Sequence, residues 1–267
     1  MNKYLKSFGR YRFLLIELVK KGIKLKYRRS YLGIIWTLLE PLLTMIVLTV
    51  VFGTLLGRNK EFYAVYILCG RLMYSFFSSS TKVAMRSIRA NASMIKKVYV
   101  PKYLYPLSTV IYNYIIFLLS LIVLAIVSAV MGITPTWHLI EVFLPLLVLF
   151  IFAFGVSMVL STITVFFRDL EYLWDVVLML IMYCSAIFYY VVELDTRVAS
   201  VIALNPLYCL ISNFRCILID GQSIFTSTCY GGSQLFMFLY ATAFSVIIAC
   251  VGTYAFYKNQ DKFILHI

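Results

Sequence analysis

Long apolar segments alternate with short polar ones along the whole of this 267-residue chain. A helix that crosses ~30 Å of hydrocarbon needs about 20 predominantly apolar residues. Six segments reach that length, at about 32–56, 62–80, 107–131, 139–166, 173–192 and 235–257. The third and the sixth contain no charged residue at all. The pattern predicts an all-α membrane protein with six transmembrane helices.

The positive charges predict which way these spans face. Sixteen of the 24 Lys and Arg residues lie in two stretches, 1–30 and 82–102. Two predicted spans separate the stretches, so both lie on one side of the membrane, and the positive-inside bias makes that side the cytoplasm. Six spans then put both termini in the cytoplasm. We expect one transmembrane domain over 1–267, with a cytoplasmic helix at 1–30, six spans within 32–257 and a tail at 258–267.

Composition excludes several other classes of protein. Apolar residues make up 63% of the chain and charged residues 13%, too apolar for a soluble domain. The net charge of +13 does not indicate nucleic-acid binding, because basic cytoplasmic loops of membrane proteins carry such charge and touch anionic lipid. Six cysteines occur without a CxxC pattern, and we predict that they act as small apolar residues and bind no metal. No GxxxxGK[ST] phosphate loop occurs, so we expect that this chain does not itself bind ATP in that way. We expect no other cofactor on this chain.

The N-terminal stretch has the periodicity of an amphipathic helix. Its apolar positions follow i, i+3, i+4, i+7, i+8 spacing and are Leu15, Leu18, Val19, Gly22 and Ile23. The opposite face carries Glu17, Lys20, Lys21, Lys24 and Arg28. We predict a helix along the inner leaflet with its apolar side in the headgroup boundary. It serves either as a membrane anchor or as a surface for a cytoplasmic partner.

Two connecting segments are longer than a simple connection needs. The segment 82–105 has six basic residues and no acid, and is read as a loop, either solvated or, as its length favours, docked on a partner. The external segment 193–234 is broken at Asn205-Pro206 and continues with an apolar stripe at Leu207, Leu210, Ile211, Phe214, Ile217 and Leu218. That helix is too short to cross the membrane. It either lies on the outer leaflet or dips into it as a gate at the outer mouth.

Charged residues within the spans are few, chiefly Glu40 and Arg71. Their predicted depths are similar, so they either pair or both face a hydrated pathway. So few intramembrane carboxylates, with no internal repeat, disfavour a secondary transporter, and two lone histidines give little support to catalysis. We expect a passive conduit that a partner drives. The alternatives are a secondary transporter or flippase without an ATPase, and a membrane enzyme acting on lipid-linked sugars.

Four motifs carry a family resemblance. They are KLKYRRSYLGIIW at 24–36 followed by LEPL at 39–42, MIKKVYVP at 94–101 with PLS at 106–108, FRDL at 167–170, and NPL at 205–207 with Phe214-Arg215. In this order they resemble permease subunits of bacterial ABC exporters for surface polysaccharides, including O-antigen, capsule and teichoic acid. Arg71 departs from that pattern, because its segment is usually apolar with a Trp in the family.

The resemblance implies partners for this chain. It implies a second copy of the chain and two copies of a cytoplasmic ATP-binding subunit that holds ATP and Mg²⁺. It also implies a polysaccharide cargo attached to a lipid carrier, and a location in the cytoplasmic membrane of a bacterium. Coupling to the ATPase is then expected at Lys24, Arg28, Arg29, Lys96, Lys97, Arg168 and Asp169. Arg168-Asp169 is read equally as a helix cap with a local ion pair.

The resemblance also implies where the cargo passes. The external gate is expected at Asn205, Pro206, Phe214 and Arg215. Aromatic faces pack on sugar rings without fixing one hydroxyl pattern, so the substrate pathway is expected at Tyr31, Trp36, Tyr183, Phe188 and Tyr189, together with Glu40 and Arg71. The neighbouring Tyr190 completes an aromatic cluster that cannot all face one way on a helix.

Overall fold

The computed structural model describes residues 2–28, 32–55, 62–97, 100–229 and 232–266, with the side chains of 2–10, 34, 54–55 and 265–266 left out. These ranges contain helices, turns and irregular connections, and no β-strand occurs within them. The prediction of an all-α protein is therefore confirmed.

Eleven α-helices occur in the described ranges. They are α1 Asn2–Tyr27, α2 Trp36–Leu48, α3 Tyr63–Ala90, α4 Ala92–Lys97, α5 Leu104–Val130, α6 Phe143–Phe166, α7 Leu170–Tyr183, α8 Thr196–Ala203, α9 Pro206–Leu218, α10 Gln234–Asn259 and α11 Phe263–His266. A π-helical stretch, Thr49–Leu55, continues α2, and a 3-10 stretch, Trp137–Val142, leads into α6.

Four helical segments in the described ranges are long and apolar enough to cross a membrane, namely Trp36–Gly53, Leu104–Val130, Trp137–Phe166 and Gln234–Lys262. The pair α8–α9, bent by 99°, makes a fifth candidate as a broken span or a re-entrant loop. The other two predicted spans have different bounds. The helix α3 runs on to Ala90 instead of ending near residue 80, and α7 ends at Tyr183 instead of near residue 192. The count of six spans stays a prediction.

The core of the bundle is α3, which packs against α5 and α6, while α6 packs closely along α10. Two glycines allow that last contact. A Cβ on Gly155 would lie 2.6 Å from the backbone nitrogen of Ala249, and one on Gly252 would lie 2.5 Å from the carbonyl oxygen of Gly155. Lipid supplies little hydrophobic drive between helices, so close backbone packing of this kind holds them together.

A second buried apolar cluster, separate from the core around α3, joins α1 and α11 at one end of the bundle. It joins Leu15 of α1, Ile95 of α4, Leu104 of α5, Val165 of α6 and Phe263 of α11. The helices α1 and α11 therefore meet at the same end of the bundle. Which side of the membrane that end faces stays a prediction.

The helix α1 is amphipathic as predicted, but its apolar face packs on protein. Leu15 and Val19 are buried, and α1 lies along α5. Gly22 brings the two helices together, since a Cβ there would lie 2.4 Å from the ring of Tyr112. The expectation that this face sits in the headgroup boundary was wrong, because α5 offers a groove that buries it.

The prediction of a basic loop over 82–105 was also wrong. No glycine or proline interrupts the chain from Lys82 until Pro101, so α3 continues and α4 follows after a break at Asn91. Acidic residues of α7 then meet the cations of α3. The pairs are Lys82 with Asp175 at 2.7 Å, Arg86 with Glu171 at 2.7 Å, and Arg89 with Glu171.

The glycine contact between α6 and α10 gives a test of the fold. We expect Gly252→Ala to destabilise the protein by about 1–3 kcal/mol, because its Cβ would overlap backbone that cannot move freely. The measurement is the apparent Tm of the purified protein in detergent. Val251→Ala, at a position 52% exposed on the same helix, is the matched control. Equal Tm values for the two variants would contradict the packing described here.

Candidate functional site

A polar cavity of about 70 Å³ lies between α2, α3 and α5. That volume holds several water molecules. The polar lining from these three helices is unusual for such apolar segments and consists of Thr37, Glu40, Thr44, Arg71, Ser75, Ser79, Asn113 and Ser120. Lys26 and Tyr27 of α1 complete the polar wall. The lining side chains come from four helices, so the cavity depends on how the bundle packs.

The structure brings the two predicted intramembrane charges to this one cavity. No ion pair joins Glu40 to Arg71 in the described part of the chain. The guanidinium of Arg71 instead contacts the sulfur of Met182 at 3.8 Å and lies 5.8 Å from the centre of the Tyr74 ring. A direct pair is therefore not formed in this structure, whereas a shared hydrated wall agrees with the geometry.

A proline shapes one wall of the cavity. Pro41 has no N–H group, so the carbonyl of Thr37, one turn earlier in α2, loses its helical donor. The hydroxyl of Ser120 on α5 lies 3.2 Å from that carbonyl oxygen and 3.1 Å from the carbonyl of Ile116 on its own helix. Ser120 can thus donate a hydrogen bond from α5 to the Thr37 carbonyl of α2, to which Pro41 has no N–H to donate. This ties α5 to the part of α2 that carries Glu40.

A larger, more open cleft of about 690 Å³ adjoins the cavity between α1, α3 and α5. The two spaces share Lys26, Ser79 and Asn113 in their linings. Four cations border the cleft, namely Lys21, Lys26, Lys82 and Arg86. A polar surface therefore runs from the basic part of α1 to Arg71.

The second unusual site is a buried arginine on α9. Arg215 is 1% exposed, although the sequence placed it among the external charges. Its guanidinium donates to the carbonyl oxygen of Tyr66 at 2.9 and 3.1 Å and to that of Ala186 at 2.9 Å. It also lies 3.4 Å from the centre of the Tyr66 ring. A buried cation requires such partners, because unpaired burial of a charge is very costly.

The chain provides these partners through a local break and a close approach. Residues 184–190, here called the 184–190 turn, follow α7 without helical structure, and Ala186 takes a positive φ of 47°. That leaves the Ala186 carbonyl free to accept from Arg215. Across from it, a Cβ on Gly70 would lie 2.6 Å from Nη2 of Arg215, so α3 needs a glycine there.

Two tyrosines of α3 hold the same turn. The Tyr66 hydroxyl lies 3.2 Å from the carbonyl oxygen of Ala186 and 2.8 Å from that of Tyr189. The Tyr63 hydroxyl donates to the carbonyl of Phe188 at 2.8 Å. The backbone carbonyls of the 184–190 turn are thus hydrogen-bonded to α3 through these tyrosines. Arg215 links the same turn to α9.

This arrangement changes the reading of the predicted aromatic pathway. Phe188 is buried and stacks on Phe52 at 4.9 Å, so its position is that of a packing residue. The hydroxyl of Tyr189 donates to the carbonyl of Tyr183 at 2.7 Å. Trp36 and Tyr183 are the candidates with large exposed surface, 42% and 49%. Tyr31 lies outside the described residues. The expectation that residues 188–190 lie on a helix was wrong.

The predicted gate residues build the start and the interior of α9. The side chain of Asn205 caps the helix by accepting from the nitrogen of Leu207 at 3.0 Å, and its amide donates to the hydroxyl of Ser185 at 3.0 Å. Pro206 is the first residue of α9, and Phe214 is buried. Because α9 is buried from Pro206 to Ile217, it is not a helix that lies on a surface. It enters the body of the protein.

The predicted coupling residues lie on surfaces of the basic part of the molecule. Exposed side chains there are Lys24, Arg28, Lys96, Lys97, Arg168 and Asp169, whereas Arg29 lies outside the described residues. Asp169 precedes α7 but makes no side-chain cap hydrogen bond, and in the described part of the chain it forms no ion pair with Arg168. Asp169 thus occupies the N-cap position of α7, as the helix-cap reading has it, but the local ion pair of that reading is not formed between these described residues.

Several residues of these sites were missed in the sequence. The hydroxyls and amide of Ser75, Ser79, Asn113 and Ser120 line the cavity, and Tyr66 and Gly70 surround Arg215. The four-residue spacing of Ser75 and Ser79 within an apolar helix was a usable signal, because it puts two polar groups on one face. Nothing in the local sequence indicated that Tyr66 contacts Arg215, 149 residues away.

A bundle of long apolar helices around a polar cavity, with a basic cleft beside it, is the architecture of a polytopic membrane protein. A family model for ABC-2 type transporters matches residues 14–219, and the chain belongs to that family. It is similar to two proteins named O-antigen export system permease protein RfbA. The one from Klebsiella pneumoniae is 30% identical over 94% of this chain and 93% of its own length. The one from Myxococcus xanthus is 29% identical over 82% and 85%.

This chain is accordingly a transmembrane transporter subunit and a multi-pass protein of the cytoplasmic membrane. Membership in the family also implies an ABC transporter with an ATP-binding partner. The cavity and the buried arginine lie within the matched range 14–219, so both sites belong to the transporter domain itself.

The Arg215 site gives a second test. We expect Arg215→Lys to lower the free energy of unfolding by about 1.5–3 kcal/mol, because an ammonium cannot serve two carbonyls and a ring in the way a planar guanidinium does. The measurement is apparent Tm in detergent. Arg197→Lys, at an exposed position on α8, is the control. A Tm for Arg215→Lys equal to that of the control would contradict the role described for this arginine.

Proposed function

We propose that this chain is the membrane subunit of an ATP-driven exporter that moves a surface polysaccharide, carried on a lipid, across the bacterial cytoplasmic membrane. The observation that carries the proposal is similarity over 94% of the chain to a protein named as an O-antigen export permease. Teichoic-acid-like polymers belong to the same chemical class of long hydroxylated chains and are alternative cargoes.

The proposed topology has six spans with both termini in the cytoplasm. The helix α3 has 28 residues, about 42 Å of helix, which is enough to cross and to extend beyond the membrane. The helix α7 has 14 residues, about 21 Å, and the 184–190 turn extends it toward α8. Protein surrounds this irregular backbone, as the absence of water in hydrocarbon requires.

The proposed energy source is a cytoplasmic ATP-binding subunit, present in two copies beneath two copies of this chain. The surface of this chain on which that subunit docks comprises the outer face of α1, the helix α4 and the turn at Arg168 and Asp169. The second apolar cluster supports this assignment, because through Ile88 and Leu104 it joins α1 and α4 to α3 and α5. A push on α1 or α4 is thereby passed to helices that border the polar cavity.

The polar cavity and the basic cleft suit the proposed cargo. A polysaccharide that crosses bare hydrocarbon loses the hydration of many hydroxyls, at a few kcal/mol each without compensation. Hydroxyl and amide groups along α3 and α5 offer hydrogen bonds in place of that water. Two of the four cations of the cleft, Lys82 and Arg86, pair with acids of α7. The other two, Lys21 and Lys26, suit an anionic group that links the polymer to its lipid.

The test uses cells in which this chain is the only copy of the permease. We expect Glu40→Gln and Arg71→Gln each to lower surface polysaccharide by about tenfold. Each variant loses a hydrogen bond between a charged side chain and the cargo, which costs about 1.5 kcal/mol or more. The measurement is polysaccharide at the cell surface, with co-purification of the ATP-binding subunit as the check on assembly. Arg197→Gln, at an exposed site, is the control.

Two outcomes would count against the proposal. Normal export by both cavity variants would remove the cavity from the pathway. Failure of any ATP-binding subunit to co-purify with the wild-type chain, with export intact, would favour the alternative of a secondary transporter or flippase that works without an ATPase.

A further inference from the structure

Two cysteine thiols approach each other between α9 and α10. Cys216 lies in the last turn of α9, and Cys229 lies in the irregular segment that leads toward α10. Their sulfur atoms and a carboxylate oxygen of Asp220 all lie within 4.8 Å of one another. Neither thiol belongs to the polar cavity or to the Arg215 network.

The backbone on both sides of the pair is held by bonds that do not involve sulfur. Glu141 accepts from the Ser223 hydroxyl at 2.9 Å and from the Ile224 nitrogen at 2.9 Å. The amide of Gln234 donates to the carbonyl of Cys229, and its oxygen accepts from Ser212 of α9 at 3.2 Å. The approach of the two thiols is therefore built into the packing of this segment.

Three of the other four described cysteines have different surroundings. Cys69 is fully buried in α3, and Cys250 is exposed on α10. The thiol of Cys209 contacts the carbonyl of Ala203 at 3.2 Å. The sulfur of Cys216 lies 3.1 Å from the hydroxyl of Ser227, two residues before Cys229, so the facing segment of chain reaches α9 directly.

We propose that Cys216 and Cys229 form a disulfide bond on the outer face of the membrane. The inference rests on the topology given under the proposed function, which places this end of the bundle outside, where disulfides form and persist. The bond ties the last turn of α9, one residue after Arg215, to the segment that enters α10.

The oxidant is a protein or small-molecule disulfide of the outer compartment. The half-exposed Cys229 loses its proton, and its thiolate attacks one sulfur of the oxidant and releases the other as a thiolate. The thiolate of Cys216 then attacks the Cys229 sulfur in the mixed disulfide and releases the second thiolate of the oxidant. The two cysteines lose two hydrogens in total, and the disulfide of the oxidant is reduced to two thiols.

A zinc site is the competing use of the same atoms. Structural zinc sites have four protein ligands, as a rule Cys or His. The cluster in the described residues offers two thiols and one carboxylate. A disulfide needs only the two thiols, so the geometry favours it.

The test blocks free thiols with N-ethylmaleimide in intact cells before purification. Chymotrypsin cleavage after Phe225 then separates the two cysteines in the denatured chain, and a disulfide keeps the two peptides joined. We expect a joined peptide pair lighter than the sum of its parts by two hydrogens, which is lost on reduction. Recovery of both cysteines already alkylated by N-ethylmaleimide would overturn the proposal.

A stability measurement provides a second readout. Reduction of the wild type and the variant Cys216→Ser are each expected to lower the apparent Tm by several degrees, because the cross-link restricts the unfolded chain. Cys250→Ala is the control and keeps the response of the wild type to reductant. Stoichiometric zinc in the purified protein that is lost in Cys216→Ser, without a joined peptide, would overturn the disulfide in favour of the metal.

Failure of the disulfide and failure of the topology give different results. After treatment with a membrane-impermeant reductant, Cys229 is expected to react with an impermeant maleimide added to intact cells. Labelling of Cys229 from outside without reductant would overturn the disulfide and leave the topology standing. Labelling only from the cytoplasmic side would overturn both the disulfide and the orientation assumed in the proposed function.

Discussion

The fold depends on satisfying polar groups where water is scarce. The helix α7 ends at Tyr183, and the 184–190 turn would leave bare carbonyls inside the bundle. Arg215 supplies donors to the Ala186 carbonyl, and the hydroxyls of Tyr63 and Tyr66 supply them to others. In hydrocarbon each unsatisfied group costs several kcal/mol. Burial of Arg215 alone would be unfavourable, but its guanidinium satisfies a carbonyl that the end of α7 leaves without a helical donor.

The same constraint explains the polar cavity, at the other place where helical hydrogen bonding is interrupted. Pro41 opens the carbonyl of Thr37, and Ser120 on the neighbouring helix can donate to it. The interruption lies beside Glu40 and Arg71, at a cavity large enough to hold water. Irregular backbone and polar side chains therefore occur together in this bundle.

The sequence was informative wherever one physical rule dominates. Apolar length predicted four of the spans closely, and helical periodicity predicted the buried face of α1 through Leu15 and Val19. Prediction from the sequence failed where residues far apart in the chain determine the local structure. The segment predicted as a basic loop continues α3, and its cations form ion pairs with Glu171 and Asp175 of α7. Only the fold reveals that Arg215 meets Tyr66, because such pairing over 149 residues leaves no local pattern.

The central claim is that this chain is a conduit without its own energy source, driven by a docked ATP-binding subunit. The most direct measurement is the movement of lipid-linked polysaccharide into proteoliposomes that contain this chain with or without that subunit. The account predicts movement that requires both proteins and stops when ATP hydrolysis is blocked. Uphill movement by this chain alone, driven by an ion gradient, would contradict it.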